Sequence, residues 1–329
     1  MQTKPKDTLY CGVNVGRIKR AKPELDEEVL NTLFYWIRER YTIHIKKDLQ
    51  GKRGKLTEDP ILASYRFTNV RREHDKNTCW LIQNVSSNEN LSYCDKVMNT
   101  ILFRLFSKYE TMKIIQAPLD FYNRKAIDNA IRVGNIYTAQ HPDYSPFTGS
   151  FMSSGLILAC KRRFPEKPNA FSAVMEFLRW MNNQNIFEKI EQADTQQQVF
   201  QTFADIKGLG NFLGYQIFVD LTYIEGFPFS ENEFTVAGPG CVNGLRRLFK
   251  DRDEMSWEEC LFWLRDNWKD LNECVRPENK LDLENLMIDV PVNERYMNVM
   301  SLENCFCELF KYTKAQRGEG TPRKKYIVK

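Results

Sequence analysis

A chain of 329 residues, of which 42% are apolar and 27% charged, can bury one large core or two small ones and has a globular rather than a disordered composition. No apolar run is long enough to cross a bilayer, and the first residues lack the apolar core of a secretion signal. The sequence therefore predicts a cytoplasmic protein that does not enter a membrane.

The cysteines and histidines argue against the commonest metal centres. Nine cysteines are scattered without any CxxC pair, and there are only three histidines. Structural zinc and iron–sulfur sites need closely spaced sets of such ligands. We therefore expect reduced, mostly buried thiols, no metal and no cofactor. We interpret His74 and His141 as residues that make local hydrogen bonds.

The net charge of +4 is only mildly basic, but the basic residues fall in several short clusters, among them Arg71-Arg72 and Arg246-Arg247. Such clusters are typical of a surface that follows a phosphate backbone. They also occur at the solvated ends of ordinary helices, so both interpretations stay open. Arg246 and Arg247 are candidate DNA contacts. The sequence does not determine the oligomeric state.

Apolar residues at helical spacing predict a mostly α chain. In chain order the predicted elements are a helix at about residues 24–42, a loop at Gln50–Pro60, helices around 97–106 and 171–181, a helix after a cap at Asp194 or Thr195, a strand-like Thr235–Ala237, a helix with a capping box at Ser256–Glu259, and a last helix capped by Ser301.

The proline-, serine- and glycine-rich residues 142–168 predict a long loop within one domain or a seam between two parts. We therefore expect either a single unit over residues 1–329 or two helical halves, at about 20–140 and 170–315. A basic tail is expected at residues 315–329.

The stretch DIKGLGNFLGYQIFVDL, residues 205–221, has the pattern of two helices joined by a glycine turn. Gly208 and Gly210 allow a sharp turn at positive φ and leave amide groups open at the start of the second helix, where an anion is favoured. A DNA phosphate suits such a site, so Lys207, Gly208, Gly210 and Asn211 are candidate DNA contacts. In such a hairpin Leu209 packs back between the two helices, and the segment Phe212–Tyr223, which is apolar nearly all round, is expected to be a buried second helix. A plain helix end between buried helices has the same pattern.

This stretch resembles the hairpin of the helix-hairpin-helix DNA glycosylases, which implies a glycosylase-like helical fold. In that superfamily a catalytic carboxylate follows the hairpin, and Glu231 and Glu233 occupy the corresponding window. Members that are also lyases carry a lysine just after the second glycine, where this chain has Asn211. The resemblance therefore implies a monofunctional glycosylase with water as the nucleophile. We interpret Asp220 as a structural residue.

A polar stretch elsewhere in the chain, YRFTNVRREHDKNT at residues 65–78, contains many candidate binding groups. Asparagine and arginine suit bidentate contacts with a base edge or a phosphate. Asp75 is a candidate to orient Arg72 or to act as a base. The candidates in this stretch are Arg66, Thr68, Asn69, Arg71, Arg72 and Asp75.

Taken together, several motifs resemble the 5-hydroxymethyluracil DNA kinase helical domain family, also described as the α-glutamyl/putrescinyl thymine pyrophosphorylase group, over about residues 20–326. The motifs are RFTNV at residues 66–70, GNIYT at 134–138, KGLG at 207–210, VAGPG at 236–240 and ENCFCE at 303–308. The resemblance implies that Tyr137, in the second motif, contacts the substrate. The sequence has no GxxxxGK[ST] loop, so it does not predict a P-loop kinase.

The resemblance implies an enzyme that acts on a flipped, modified pyrimidine in phage-type DNA, with such DNA as its partner. The preferred hypothesis is a glycosylase, with a role in anti-phage defence, in which Glu233 or Glu231 activates water and Asn69 and Arg72 hold the base. This hypothesis is preferred because the spacing from hairpin to carboxylate supports it.

Two alternatives remain. A transferase would displace pyrophosphate from activated 5-hydroxymethyluracil, with Arg66, Arg71 and Arg72 on the leaving group and Asp75 as the base. A non-catalytic DNA-binding module would keep the hairpin and the basic clusters.

Overall fold

The computed structural model describes residues 12–149, 153–322 and 325 of the chain. The prediction of a mostly α protein is confirmed, because nearly every regular element in these ranges is a helix. Arg323, Lys324 and residues 326–329 of the predicted basic tail lie outside the described residues. None of the described helices is long and apolar enough to span a membrane.

The α-helices are numbered in chain order. They are α1 (Val15–Arg20), α2 (Glu27–His44), α3 (Pro60–Ser64), α4 (Lys76–Leu81), α5 (Tyr93–Phe106), α6 (Tyr109–Ile114), α7 (Arg124–Gln140), α8 (Ser153–Arg163), α9 (Ala170–Asn182), α10 (Ile186–Glu191), α11 (Gln196–Ala204), α12 (Gly210–Leu221), α13 (Pro239–Leu248), α14 (Trp257–Asp266), α15 (Trp268–Cys274), α16 (Leu283–Leu286) and α17 (Val299–Gln316).

Shorter elements extend or connect these helices. Two π-helical turns and three 3-10 turns lie at Ile45–Leu49, Ile82–Ser86, Arg72–His74, Pro277–Asn279 and Val292–Glu294. The strands β1 (Glu24–Leu25) and β2 (Phe249–Asp251) pair antiparallel, with Glu24 opposite Asp251 and Leu25 opposite Phe249.

The chain divides into two compact units. Unit 1 contains Met1–Asp75 and Glu231–Lys329, and unit 2 contains Lys76–Ser230. This division differs from the two consecutive halves expected from the sequence, since unit 1 takes its helices from both ends of the chain.

Unit 1 is built around α2, α13, α14 and α17, which pack on one another. The apolar face of α2 supplies Leu33, Phe34 and Trp36, all with no exposed surface. Asp26 caps this helix by accepting the Val29 N–H at 3.0 Å. The capping box predicted at Ser256–Glu259 is confirmed at the start of α14.

Unit 2 is built from the helices α4–α12. Helix α12 packs against α11 and α5, and the segment predicted to be buried on all sides is buried: Ile217, Phe218 and Val219 have no exposed surface. Of the two caps predicted for α11, Thr195 is the one observed, and it forms a capping box with Gln198.

Three predictions of local structure were wrong. Helix α8 occupies the middle of the expected loop at 142–168, and Thr235–Ala237 forms no strand. The last helix begins at Val299, because the Asn298 side chain accepts the Ser301 N–H at 2.7 Å and caps the helix in place of Ser301.

Candidate functional site

The polar stretch at residues 65–78 lies mostly in unit 1, directly after α3. Asp59 caps α3 by accepting the N–H groups of Ile61 and Leu62 at 2.8 and 2.7 Å. The backbone is irregular from residue 66 and then turns at Arg72–His74. Because the chain is neither helix nor strand before this turn, its side chains do not follow one regular face.

The stretch is fixed by the C-terminal helix α17. The Asn304 side-chain amide donates to the Asn69 carbonyl oxygen at 2.8 Å, and the Thr68 hydroxyl donates to Asn304 Oδ1 at 3.1 Å. The Thr68 N–H donates to Glu308 Oε2 at 3.3 Å. Two motifs about 235 residues apart, RFTNV and ENCFCE, are thus hydrogen-bonded to each other. This contact gives the shared motifs a structural reason.

The side chain of Asn69 is engaged within the protein. Its Oδ1 accepts a hydrogen bond from Arg40, and its Nδ2 donates to the His74 carbonyl oxygen at 2.6 Å. Both ends of the amide that was predicted to hold a base are therefore occupied. Through these hydrogen bonds the Asn69 side chain closes the turn that carries Arg71 and Arg72.

Arg71 is also engaged and is only 4% exposed. Its guanidinium pairs with Glu73 and donates to the carbonyl oxygens of Glu294 at 3.0 Å and Tyr296 at 3.4 Å. Burial lowers its pKa, but the charges of Glu73 and Glu231 outweigh this effect and raise it. Arg71 therefore holds the chain segment of Glu294 and Tyr296 in place.

Arg72 lies near a buried carboxyl that the sequence analysis did not select as a site residue. Glu303 on α17 accepts the Gly238 N–H at 3.3 Å. Burial raises the pKa of Glu303 to about 7, although the Gly238 hydrogen bond and the charge of Arg72 act in the opposite direction. A carboxyl that titrates near neutral pH beside an arginine is typical of functional sites.

The carboxylates predicted to be catalytic differ in environment. Glu231 is half-buried and its Oε1 accepts the Asn298 side-chain amide at 2.5 Å, whereas Glu233 and Asp75 are exposed. Arg66 and Thr68 are exposed as well, and Arg66 has no ion-pair partner among the described residues. Among the candidate site residues of this stretch, the exposed ones are thus Arg66, Thr68 and Asp75.

The glycine turn lies in unit 2 between α11 and α12. Gly208 and Gly210 have φ values of +111° and +61°, and Leu209 is buried as expected. A Cβ on Gly214 would lie 3.1 Å from the Ala204 nitrogen, so this glycine permits the two helices to approach. The Gly210 N–H, predicted to face a phosphate, makes a long 3.4 Å contact with the Ile206 carbonyl oxygen.

A groove of about 720 Å³ lies beside this turn in unit 2. Its lining includes Arg163, Lys189 and Lys207, which are exposed, and a single carboxylate, Asp205. The Arg163 guanidinium lies 3.7 Å from the ring centre of Trp180. Cations beside an aromatic face are the combination that binds single-stranded nucleic acids.

Other predicted residues have structural partners. Asp220 forms a buried bidentate pair with Arg104, at 2.6 and 2.7 Å, which agrees with its structural interpretation. Tyr137 on α7 stacks on His141 with ring centres 4.1 Å apart. Arg247 pairs with Glu319.

The candidate DNA contacts fall in both units. Lys207, Gly208, Gly210 and Asn211 belong to unit 2, as does the candidate substrate contact Tyr137. Arg246 and Arg247 belong to unit 1 with Arg66–Asp75 and the two glutamates. Arg246 is exposed, with its guanidinium 5.6 Å from the ring centre of Trp257.

Sequence reasoning missed three residues that organise the site in unit 1: Arg40, Glu303 and Asn304. For Glu303 and Asn304 a signal was present, because both stand in the ENCFCE motif. Arg40 carries no such signal, since a charged residue near the end of an amphipathic helix usually faces solvent.

The fold and the site define a mostly α protein in which an arginine-rich stretch is fixed by a C-terminal helix. The chain belongs to the family described as "5-hmdU DNA kinase, helical domain", which it matches over residues 27–321. This confirms the family predicted from the motifs.

A curated relative, the 5-hmdU DNA kinase of Bacillus phage SP10, is 25% identical over 313 residues. The alignment covers 89% of this chain and 46% of the relative, so the chain spans about half of the relative's length. No solved structure matches the chain. Both descriptions name a DNA kinase, and neither names a glycosylase or a helix-hairpin-helix protein.

Proposed function

We propose that the chain processes DNA that carries 5-hydroxymethyluracil, by group transfer at the 5-hydroxymethyl group rather than by hydrolysis of the glycosidic bond. The observation that carries this proposal is the match to the 5-hmdU DNA kinase helical family over residues 27–321. Phosphoryl transfer, the activity in the relative's name, is the first candidate reaction.

The accessible side chains of unit 1 suit such a transfer. Transfer of a phosphoryl group to a hydroxyl needs a base near the hydroxyl proton and a cation near the phosphate. Asp75 is exposed at the end of the polar stretch and is assigned as the base, and the exposed Arg66 is assigned to the phosphate. Asn69 and Asn304 hold the backbone between these two residues.

The groove of unit 2 suits the DNA backbone. Arg163, Lys189 and Lys207 supply positive charge, and Trp180 supplies an aromatic face. Basic side chains of this kind give affinity without sequence preference. Discrimination of the modified base is assigned to unit 1, and backbone affinity to unit 2.

A second candidate reaction is transfer of an amine onto a 5-hydroxymethyl group that already carries phosphate or pyrophosphate. It is favoured by the exposed Arg66, which suits a phosphate leaving group, and by a sequence without a GxxxxGK[ST] loop. It uses the same DNA and the same site.

The test uses matched oligonucleotides that contain either 5-hydroxymethyluracil or thymine at one position, in single- and double-stranded form. Incubation with γ-labelled ATP and Mg²⁺, followed by nucleoside mass spectrometry, should give a phosphorylated nucleoside only from the modified DNA. A nucleoside that becomes heavier only when phosphorylated DNA and an amine are supplied identifies the second candidate. Abasic sites would return the assignment to a glycosylase, and equal binding of both DNAs without any product would overturn the proposal.

Three substitutions separate the possible bases. Asp75→Asn should abolish turnover and keep DNA binding, whereas Glu233→Gln should retain turnover because that carboxylate is not assigned a role. Glu231→Gln keeps a group that can accept from Asn298 and should retain most of the turnover. Full activity of Asp75→Asn would move the base to one of the glutamates.

A further inference from the structure

Three side chains of unit 1 that the proposed function does not use converge around one carboxylate oxygen. His44 Nε2 lies 2.8 Å and His74 Nε2 lies 3.2 Å from Asp289 Oδ2. The two imidazole rings are stacked, with centres 4.2 Å apart and planes 8° apart. One ligand atom from each residue can be chosen so that all three lie within 4.8 Å of one another.

These separations are those of ligands that share one metal ion. Nitrogen and oxygen ligands bind Zn²⁺ at about 2.1 Å, so two ligands at a right angle are about 3.0 Å apart and two at a tetrahedral angle about 3.4 Å apart. The distance of 3.2 Å lies between these values and that of 2.8 Å lies just below them. Because a metal ion lies in the plane of each imidazole that binds it, the two stacked rings must turn relative to each other when the ion binds.

The groups around the cluster orient its members. His44 Nδ1 lies 2.9 Å from Asp48 Oδ2, which leaves Nε2 directed at Asp289. The Tyr41 hydroxyl donates to the other oxygen of Asp289 at 2.6 Å, so Oδ2 is left to the two imidazoles. Carboxylates and hydroxyls that hold ligand side chains in this way are usual around metal centres.

His74 contributes an imidazole that the protein does not otherwise satisfy. Its Nδ1 is buried and has no hydrogen-bond partner among the described residues.

We propose that His44, His74 and Asp289 bind one divalent transition-metal ion, with Zn²⁺ as the first candidate. Two imidazoles and one carboxylate favour ions such as Zn²⁺ and Co²⁺ over Mg²⁺ and Ca²⁺, which prefer oxygen ligands. Three protein ligands leave further coordination positions for water or for an oxygen of an anionic ligand. This inference stands on the cluster alone and does not depend on the proposed function, although it differs from the expectation of no metal.

The first test measures binding to the full chain without an affinity tag. Co²⁺ and Zn²⁺ should each bind with one equivalent per chain, with a Co²⁺ visible spectrum of nitrogen and oxygen ligands, and excess Mg²⁺ should not displace them. His44→Gln, His74→Gln and Asp289→Asn should each remove this equivalent. Asp48→Asn should weaken binding by about 10-fold to 100-fold. His141→Gln, the matched control at the third histidine, should bind as the wild type does.

The second test needs no variant and so does not depend on how the substituted chains fold. The side-chain ¹⁵N resonances of the three histidines are followed while Zn²⁺ is added to the wild-type protein. The signals of two histidines should shift together and reach an end point at one equivalent, while the third stays in place. Unchanged signals, or one equivalent of metal that persists in His74→Gln and Asp289→Asn, would overturn the proposal and leave a hydrogen-bonded cluster only.

Discussion

At the scale of single residues, the protein uses several of its predicted binding groups to stabilise its own fold. Asn69 was predicted to contact a base, yet Arg40 and the His74 carbonyl occupy its amide. Arg71 was predicted to bind pyrophosphate, yet Glu73 and two carbonyl oxygens surround it. A sequence gives the type and the position of each residue. Whether a polar group meets a ligand or its own chain depends on what packs against it.

Glu303 makes stability depend on pH. Its pKa is raised from 4.5 in the unfolded chain to about 7 in the folded protein, chiefly by burial. A raised carboxyl pKa means that the folded state favours the protonated form, so ionisation of Glu303 lowers the free energy of unfolding. This loss is absent below pH 4.5, grows as the pH rises towards 7 and is complete above that value. The pKa shift corresponds to a loss of about 3 kcal/mol in the free energy of unfolding.

We therefore expect Glu303→Gln to remove this loss of stability. The free energy of unfolding of the variant is measured by denaturant titration and compared with that of the wild type. The difference, variant minus wild type, should increase by about 3 kcal/mol between pH 4.5 and pH 8. Glu284→Gln removes a negative charge from the exposed surface of α16 and serves as the control. A constant difference between Glu303→Gln and the wild type across this range would contradict the prediction.

At the scale of elements, glycines decide which helices can approach. A Cβ on Gly244 of α13 would lie 2.2 Å from the Phe306 carbonyl oxygen of α17, and one on Gly240 would lie 2.3 Å from Cys307 Sγ. The VAGPG motif thus supplies both the start of α13 and a close contact with α17. Gly134 plays the same part in unit 2, where a Cβ would enter the ring of Phe171.

Gly244→Ala should destabilise the protein by about 3 kcal/mol. The new Cβ would clash with the backbone carbonyl of Phe306, which cannot move away by a change of rotamer. The measurement is the free energy of unfolding in denaturant. Gly16→Ala is the matched control on α1, where the nearest atoms would be 3.4 and 3.7 Å from the new Cβ. It should be neutral or stabilising by up to about 1 kcal/mol. Equal effects of the two substitutions would contradict the close approach of α13 and α17.

The pair Arg104–Asp220 connects α5 with α12 inside unit 2. Both side chains are almost fully buried, so removing one charge leaves the other without compensation. Asp220→Asn should cost about 3–5 kcal/mol in the free energy of unfolding. Replacing both residues together, by Arg104→Met and Asp220→Leu, should restore much of this loss. Wild-type stability with lost turnover in Asp220→Asn would contradict the structural interpretation and indicate a catalytic role.

At the scale of the whole molecule, charge is distributed unevenly although the net value is only +4. Two arginines of the basic clusters form ion pairs within the chain: Arg71 with Glu73 and Arg247 with Glu319. Other cations, at Arg163, Lys189 and Lys207, remain exposed around one groove. A count of basic residues therefore overestimates the positive charge that is available to an anionic ligand.

Binding of DNA should weaken with salt, and the groove should account for part of this dependence. Lys189→Ala and Lys207→Ala should each lower the slope of log affinity against log salt by about 0.7–0.9 for each phosphate that the substituted side chain no longer neutralises. The decrease should be the same for modified and unmodified DNA, since these lysines are assigned to the backbone. Lys250→Ala, on β2 of unit 1, is the control, and fluorescence anisotropy at several salt concentrations is the measurement. An unchanged slope in both groove variants would remove the groove from the proposed interface.

The sequence by itself determined the helical class, the capping box at Ser256, the buried character of α12 and the family, because these depend on local spacing and on short motifs. Only the tertiary structure decided that RFTNV meets ENCFCE, that Asn69 and Arg71 are engaged, and that His44, His74 and Asp289 share one oxygen. Periodicity records which face of a helix is apolar. It does not record which distant segment covers that face, and that pairing sets the burial and the charge of every candidate group.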